Sequence, residues 1–202
     1  MCLVVDILGS LDNSIENCRE KIKKYLELIA LKYNSLIANK PFNSNLSEIA
    51  TVESGKRPIV KVSNQNSEYN IPIIGASSIM GYTNVILFNE PILVIGRVGT
   101  HGIVQPIFDN CWASDNTLII KTKYYSFLYN VLKNIDYASI NKGSTQPLIT
   151  QTDIKNTEIY IPDATTLDKF EKYYSLLPIR ELNDKIDKLN QLKELYLKKF
   201  FD

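Results

Sequence analysis

The stretches LDNSIENCREKIKKYLELI (11–29) and IRELNDKIDKLNQLKELYLKKF (179–200) decide the architecture of this chain. In both, apolar residues recur at spacings that alternate between three and four, the heptad seam of helices that pack along their length. A shift of 171 positions superposes the two seams, and the matched pairs are Leu8 and Ile179, Leu11 and Leu182, Ile15 and Ile186, Cys18 and Leu189, Tyr25 and Tyr196, and Ile29 and Phe200. We therefore predict one folded module between two related coiled-coil helices, a layout typical of a spacer protein rather than of a pocket enzyme.

The ends of these helices are marked by glycine and proline. The first helix is predicted from Ser10 to Ala38, with a break at Gly9–Ser10, and Pro178 suits the first turn of the second helix. The predicted organisation is an N-terminal spacer helix (1–40), a central domain (41–163) and a C-terminal spacer helix (164–202).

Composition limits the functions open to the chain. Its 202 residues are 45% hydrophobic, enough for one well-packed main domain. The net charge of +1 gives no global attraction to nucleic acid, so DNA binding would have to rest on local patches or on the charge of a partner.

The cysteines and the N-terminal segment predict a cytoplasmic protein without metal or cofactor. Cys2, Cys18 and Cys111 are scattered and odd in number, so they form neither a disulfide framework nor a zinc motif. The segment MCLVVDILG (1–9) is too short for a membrane span and lacks the basic start of a signal peptide.

The central segment alternates short apolar runs with polar turns. We predict strands at 91–95, 103–106 and 117–121 from their β-branched content, and a helix at 124–134 from its apolar spacing. The class is therefore α/β, with a small sheet domain between the long helices.

A glycine-dense turn, GRVGTHG (96–102), follows the first of these strands. It has neither the GxGxxG spacing nor the Walker lysine, which disfavours a nucleotide-binding enzyme and favours a tight turn between strands. Arg97 and His101 on such a turn can reach a phosphate or a guanine edge. His101 is the only histidine, and the sequence offers no partner set for a triad or metal site.

Three further polar segments carry candidate chemistry. The stretch NCWASDN (110–116) is predicted to be a turn. Its SDN (114–116) lacks the Pro-Pro-aromatic portion of a methyltransferase motif, and the turn is interpreted as capped by Asx side chains. In KGSTQ (142–146), Gln suits adenine while Lys, Ser and Thr suit phosphate, but an ordinary surface loop is equally consistent. The basic pair Lys56–Arg57 has the same two interpretations.

Five stretches, in their order along the chain, resemble the target recognition domain of the specificity subunit of type I restriction–modification systems. They are SGKRP (54–58), IPIIGASSIMGY (71–82), ILVIGRVGTHGIV (92–104), CWASDNTLII (111–120) and GSTQPLIT (143–150). The flanking ILGSLDNSIE (7–16) and LNDKIDKLNQLKELYLKKFF (182–201) resemble the two spacer helices of that family. The resemblance implies a small mixed twisted-sheet recognition domain flanked by two long antiparallel coiled-coil helices.

The resemblance also implies a function. A full-length subunit of this family carries two recognition domains, and its paired helices fix the distance between the two halves of a bipartite site in double-stranded DNA. It has no catalytic residue and positions methyltransferase (modification) subunits and a restriction/translocase subunit. Because this chain holds a single recognition domain, we expect a homodimer through the helices. The alternative is a monomer whose own two helices satisfy each other and which reads only one half-site.

The polar, turn-rich segments 54–58, 77–82, 96–102, 114–116 and 142–146 are the expected DNA contacts. The candidate residues are Lys56, Arg57, Ser77, Ser78, Arg97, Thr100, His101, Asn116, Lys142, Ser144, Thr145 and Gln146. Two alternatives stay open: a coiled-coil protein-interaction adaptor that does not read DNA, and an active methyltransferase or nuclease. The missing cofactor loop and the missing carboxylate cluster argue against the enzyme.

Overall fold

The computed structural model describes residues 2–98, 102–140 and 148–201, which fall into two compact units. The helical unit is Met1–Ala38 with Tyr174–Asp202, and the central unit is Asn39–Tyr173. The elements are α1 (Cys2–Ile37), β1 (Ser44–Asn45), a 3-10 turn (Leu46–Glu48), β2 (Thr51–Ser54), β3 (Ile71–Ile74), β4 (Ile79–Thr83), β5 (Ile92–Gly96), β6 (Val104–Ile107), β7 (Trp112–Ala113), β8 (Thr117–Lys121), α2 (Tyr125–Lys133), α3 (Tyr137–Ile140), α4 (Gln151–Lys155), β9 (Glu158–Ile159), α5 (Ala164–Tyr174) and α6 (Leu177–Phe201).

The predicted heptad seam is the packed face of the helical unit. Its buried cluster consists of Ile15, Cys18 and Ile186, with Ile22, Leu182 and Leu189 packed against it. An ion pair joins Asp12, which precedes the cluster along α1, to Lys193, which follows it along α6. The same end of the cluster is thus reached early in one helix and late in the other, so the pair is antiparallel, as predicted.

The prediction for the helix ends was wrong at Gly9–Ser10 and right at Pro178. α1 continues without a break through Gly9–Ser10, and the Ser14 hydroxyl donates to the Ser10 carbonyl at 2.9 Å. A glycine inside a helix costs only about 1 kcal/mol, too little to interrupt a helix of 36 residues. Pro178 does lie in the first turn of α6, where its missing N–H has no helical partner to lose. The predicted domain limits at residues 40 and 163 stay predictions.

Two sheets form the framework of the central unit. One has the strand order β2-β8-β5-β6 and is antiparallel throughout. The other has the order β4-β3-β7, with β4 antiparallel and β7 parallel to β3, so the sheets together are mixed, as expected. The predicted strands β5, β6 and β8 are confirmed. β4 and β7 lie where turns were predicted, which was wrong for residues 79–82 and 112–113.

The core of the central unit lies between these sheets. Its buried cluster is Ile74, Phe88, Ile92, Val94, Cys111, Ala113 and Ile119, and it draws on β3 and β7 from one sheet and on β5 and β8 from the other. Side chains two apart on a strand share a face, so Ile92 and Val94 point into this cluster together. Leu93 and Ile95 are also fully buried, on the opposite face, and α2 contacts β5 from the neighbouring layer.

A half-buried carboxylate fastens α5 to the start of α2. Glu171 accepts hydrogen bonds from the backbone N–H groups of Ser126 at 3.0 Å and of Phe127 at 2.8 Å, in the first turn of α2, where a side-chain acceptor can cap the helix. Burial raises the pKa of the Glu171 carboxyl, and these hydrogen bonds oppose the shift.

The seam predicts two sensitive positions. Ile15→Asp and Ile186→Asp each place a charge in the buried cluster of the helical unit, and each should lower the free energy of unfolding by about 3 kcal/mol or more. Helical circular dichroism during urea titration measures the change. The matched controls Asn17→Asp and Asn183→Asp add the same carboxylate at exposed positions of the same helices. If all four variants unfold at the same urea concentration, the helices do not depend on this seam.

Candidate nucleic-acid interface

Three of the five polar segments singled out in the sequence line one open cavity of about 350 Å³ in the central unit. The cavity is lined by Gly75, Ala76, Ser77, Ser78, Met80, Val98, Ser114 and Asn116. The tip of the β3–β4 hairpin, the turn after β5 and the turn between β7 and β8 therefore meet at one place.

Backbone hydrogen bonds fix these three turns to one another. The Ser114 N–H donates to the Ile74 carbonyl at 3.0 Å, which holds the 114–116 turn against the end of β3. Arg97 donates its N–H to the Asn116 carbonyl at 3.0 Å. Inside the hairpin tip, the Gly75 N–H donates to the Ser78 carbonyl at 2.8 Å. The backbone around the cavity is thus preformed.

The segment 54–58 is hydrogen-bonded to the residues on both sides of the 114–116 turn. Gly55 donates its N–H to the Thr117 carbonyl at 3.1 Å, and Lys56 donates to the Ala113 carbonyl at 2.9 Å. The Trp112 indole N–H returns a hydrogen bond to the Lys56 carbonyl at 2.7 Å. Glycine is required at position 55 because a Cβ there would lie 2.0 Å from the Ser114 carbonyl oxygen.

The fifth segment, 142–146, lies outside the described residues, but the chain that follows it reaches the same turn. The Ile149 N–H donates to the Arg97 carbonyl at 2.9 Å, and Leu148 forms an isolated antiparallel bridge with Val98. Four of the five segments, in their described parts, are therefore connected to the 112–117 stretch or to Arg97, and so are Leu148 and Ile149.

The structure describes six of the twelve candidate DNA-binding residues. Lys56, Arg57, Ser77, Ser78 and Asn116 are exposed, and Arg97 is half-buried. The Nε atom of Arg97 is buried and has no hydrogen-bond partner among the described residues. The other six candidates, Thr100, His101, Lys142, Ser144, Thr145 and Gln146, lie outside the described residues.

The 114–116 turn is built differently from the prediction of an Asx-capped turn. Its side-chain hydrogen bond comes from the Thr117 hydroxyl, which donates to the Ser114 carbonyl at 2.7 Å. The Ser114 hydroxyl is buried in the cavity wall, and its oxygen has no hydrogen-bond partner among the described residues. The sequence drew attention to Asn116 in this turn and missed Ser114, because only the fold reveals that this buried hydroxyl has no partner in the described part of the chain.

Exposed apolar side chains accompany these polar turns. Ile79 and Met80 are 51% and 39% exposed at the start of β4, and Leu148 is 37% exposed beside Val98. Hydroxyl, amide and guanidinium groups suit phosphates and base edges, while exposed apolar groups suit thymine methyls and sugars. The mixture is chemically matched to a nucleic-acid groove.

One lysine of the central unit is already neutralised. The Lys121 ammonium lies 2.8 Å from a Glu53 carboxylate oxygen and 2.9 Å from one of Glu90. The hydrogen bond that the ammonium donates to Glu53, followed by the one that it donates to Glu90, raises the pKa of Lys121 above its ordinary value. Lys56 and Arg57 are in no ion pair that the structure describes, so they are better placed to contact phosphate.

The described part of the chain offers no other obvious chemistry. Within it, three or more His, Cys, Asp or Glu side chains nowhere gather as metal ligands would. Nor does any helix there combine the length and apolarity needed to cross a bilayer. Cys18 and Cys111 are buried free thiols, and burial raises the pKa of Cys111 to about 12.

Comparison with known proteins adds a family. A family model described as the type I restriction modification DNA specificity domain matches residues 40–191. The fold is similar to that of the type I restriction–modification S subunit from M. genitalium, with a TM-score of 0.72 at 15% identity over 98% of this chain and 59% of that chain. A second match is the HsdS subunit from Thermoanaerobacter tengcongensis, with a TM-score of 0.46 at 13% identity over 98% of this chain and 56% of that one. No curated protein sequence matches.

The matched family covers both the central unit and most of α6, and it is a family of specificity subunits without catalytic activity of their own. The chain spans 59% of the M. genitalium S subunit, and its described residues hold one recognition domain with one long helix before it and one after it. This chain belongs to the type I restriction–modification DNA specificity family.

Proposed function

We propose that the central unit reads one half of a bipartite target in double-stranded DNA, and that the helices set its distance from a second reader. The observation that carries this proposal is the convergence of four polar segments, 54–58, 77–82, the described part of 96–102 and 114–116, on the 112–117 stretch and Arg97. A preformed backbone with exposed polar side chains can read base edges without first ordering a loop.

The charge of the chain supports a reader that works with partners. Affinity for DNA rises with the number of phosphates that a protein neutralises, and the 23 Lys and Arg of this chain are almost balanced by 22 Asp and Glu, which leaves a net charge of only +1. In this proposal, methyltransferase subunits neutralise most of the phosphates while the specificity chain supplies base contacts. A restriction/translocase subunit joins the same assembly in the full complex.

The helices are long enough to act as a spacer. At about 1.5 Å per residue, the 36 residues of α1 extend roughly 54 Å and the 25 residues of α6 roughly 38 Å. One chain supplies one recognition domain within its described residues, so two chains related by a two-fold axis would supply both readers of a bipartite site. The target of such a dimer is a palindrome interrupted by a fixed spacer.

Exposed apolar residues on both helices support a second interface beyond the seam. On α1, Leu28 and Leu31 are 43% and 66% exposed, and on α6, Leu192 and Leu195 are 41% and 65% exposed. These residues lie off the heptad seam that joins the two helices of one chain. Apolar side chains left in water at such spacing favour contact with another chain.

The reading prediction concerns Arg97, Lys142 and Gln146. The chain is co-expressed with a type I methyltransferase subunit, and sequencing of methylated bases gives the wild-type target. Alanine at each of the three positions should relax the target at one base pair, with a loss of about 1–3 kcal/mol in discrimination. A melting curve for each variant separates this effect from loss of folding, because Arg97 is half-buried.

The control for this experiment is Lys133→Ala with Lys169→Ala, which removes exposed cations from α2 and α5, outside the five segments. The methylation pattern of this control should equal that of the wild type. An unchanged pattern in all three test variants would mean that these residues do not read the site. A complex that assembles but marks no defined sequence would favour the protein-interaction adaptor.

The assembly prediction uses Leu195, which is exposed and therefore tolerates a polar substitution. Leu195→Glu should convert a homodimer into a monomer in light scattering while the urea midpoint of the helices stays unchanged. Glu194→Gln, at the neighbouring exposed position, should leave the dimer intact. A wild-type chain that is monomeric at high concentration, and whose complex methylates an asymmetric site, contradicts the dimer.

A further inference from the structure

The five residues Arg57–Lys61 form a loop that is clamped at both ends, and we call it the strap. Before it, Lys56 is held by the Ala113 carbonyl and by the Trp112 indole N–H. After it, Val62 and Tyr82 exchange two backbone hydrogen bonds, each 2.9 Å long. Both ends of the strap are therefore held by hydrogen bonds.

The two clamps lie on the two outer strands of one sheet. Ala113 belongs to β7 and Tyr82 to β4, and β3 lies between them. Gly81 allows the second clamp, because its φ is +148° and a Cβ there would lie 2.7 Å from the Val62 carbonyl oxygen. The strap thus connects the outer strands of the sheet that also carries the hairpin tip and the 114–116 turn.

The strap presents an apolar apex between two cations. Ile59 is 83% exposed, the highest value of any large hydrophobic residue in the described part of the chain, and Val60 is 41% exposed. Arg57 and Lys61 are both exposed, and no acidic residue occurs from 55 to 67. A single exposed isoleucine is common on protein surfaces, but an isoleucine this exposed, between two cations in a loop that is held at both ends, is not explained by packing.

We propose that the strap contacts DNA directly, with Arg57 and Lys61 on phosphates and Ile59 against the C5 methyl of a thymine in the major groove. The proposal rests on the proposed function, since it adds a reading element to the same half-site. Charge complementarity identifies the occupant as a polyanion. The thymine methyl is the apolar feature that base edges present in the major groove, and a branched aliphatic side chain matches it.

The first test pairs a protein change with a DNA change. Complexes with the methyltransferase subunit are titrated with a duplex that carries the target found for the wild type. Ile59→Ala should weaken binding about fourfold, the value of one or two lost apolar contacts. Replacing one particular thymine by deoxyuridine, which lacks only the methyl, should weaken wild-type binding by a similar factor. The Ile59→Ala complex should not respond to that replacement.

The matched control is Ile86→Ala, which removes the same atoms from an isoleucine that is 47% exposed on the connection between β4 and β5. It should bind the duplex like the wild type. The cations are tested by salt dependence, in which Arg57→Ala and Lys61→Ala should each reduce the slope of log affinity against log salt by about one. Lys169→Ala, an exposed lysine of α5, should not change the slope.

Each outcome decides between the alternatives. If Ile59→Ala binds like Ile86→Ala, the strap apex does not touch DNA and the proposal is wrong. If Ile59→Ala weakens binding but no thymine position is coupled to it, the thymine assignment is wrong. Failure of the proposed function is seen separately, as absence of sequence-specific binding by the wild-type complex, and it would remove the strap's role as well.

Discussion

The parallel pairing of β7 with β3 is the contact on which the candidate DNA surface depends. Only Trp112 and Ala113 form β7, yet the residues around them hold four segments of the chain. The Ser114 N–H continues the pairing to the Ile74 carbonyl, and the Ala113 carbonyl accepts the Lys56 N–H. The pairing is short, but it is buried: Cys111 and Ala113 have no exposed surface and belong to the core between the sheets. The same residues therefore stabilise the core and position the loops.

The long helices could be predicted from the sequence because their signal is local and repeated. Every seam position from Leu8 to Ile29 is buried or half-buried in α1, and an apolar period of this length is typical of helices that pack along their whole length. The one error, the break at Gly9–Ser10, came from treating glycine as a helix terminator. The energetic cost of one glycine is small against the packing of the rest of the helix.

Strands β4 and β7 could not be predicted because their stability is not local. β7 has two residues and forms only because β3, nearly forty positions earlier in the chain, lies beside it. β4 contains Gly81, which reads as a turn residue in sequence but here permits close approach of Val62. The same limit applies to the site. The sequence identified the polar turns. The Ser114 hydroxyl, which has no partner among the described residues, and the strap follow only from three-dimensional neighbours.

In the proposed function, the near-neutral chain supplies contacts to base edges from its polar surface, and a partner supplies the contacts to phosphates. A protein whose affinity for DNA came mainly from phosphate contacts would bind every sequence about equally well, since phosphate contacts carry no sequence information. With Lys121 engaged by Glu53 and Glu90, the exposed cations beside the described turns are few, and hydroxyls, amides and apolar groups make up most of that surface. Such groups discriminate between base pairs by a few kcal/mol each while adding little affinity for random DNA. In the proposed function, the scarcity of net positive charge therefore favours specificity, on the condition that a partner supplies the electrostatic attraction.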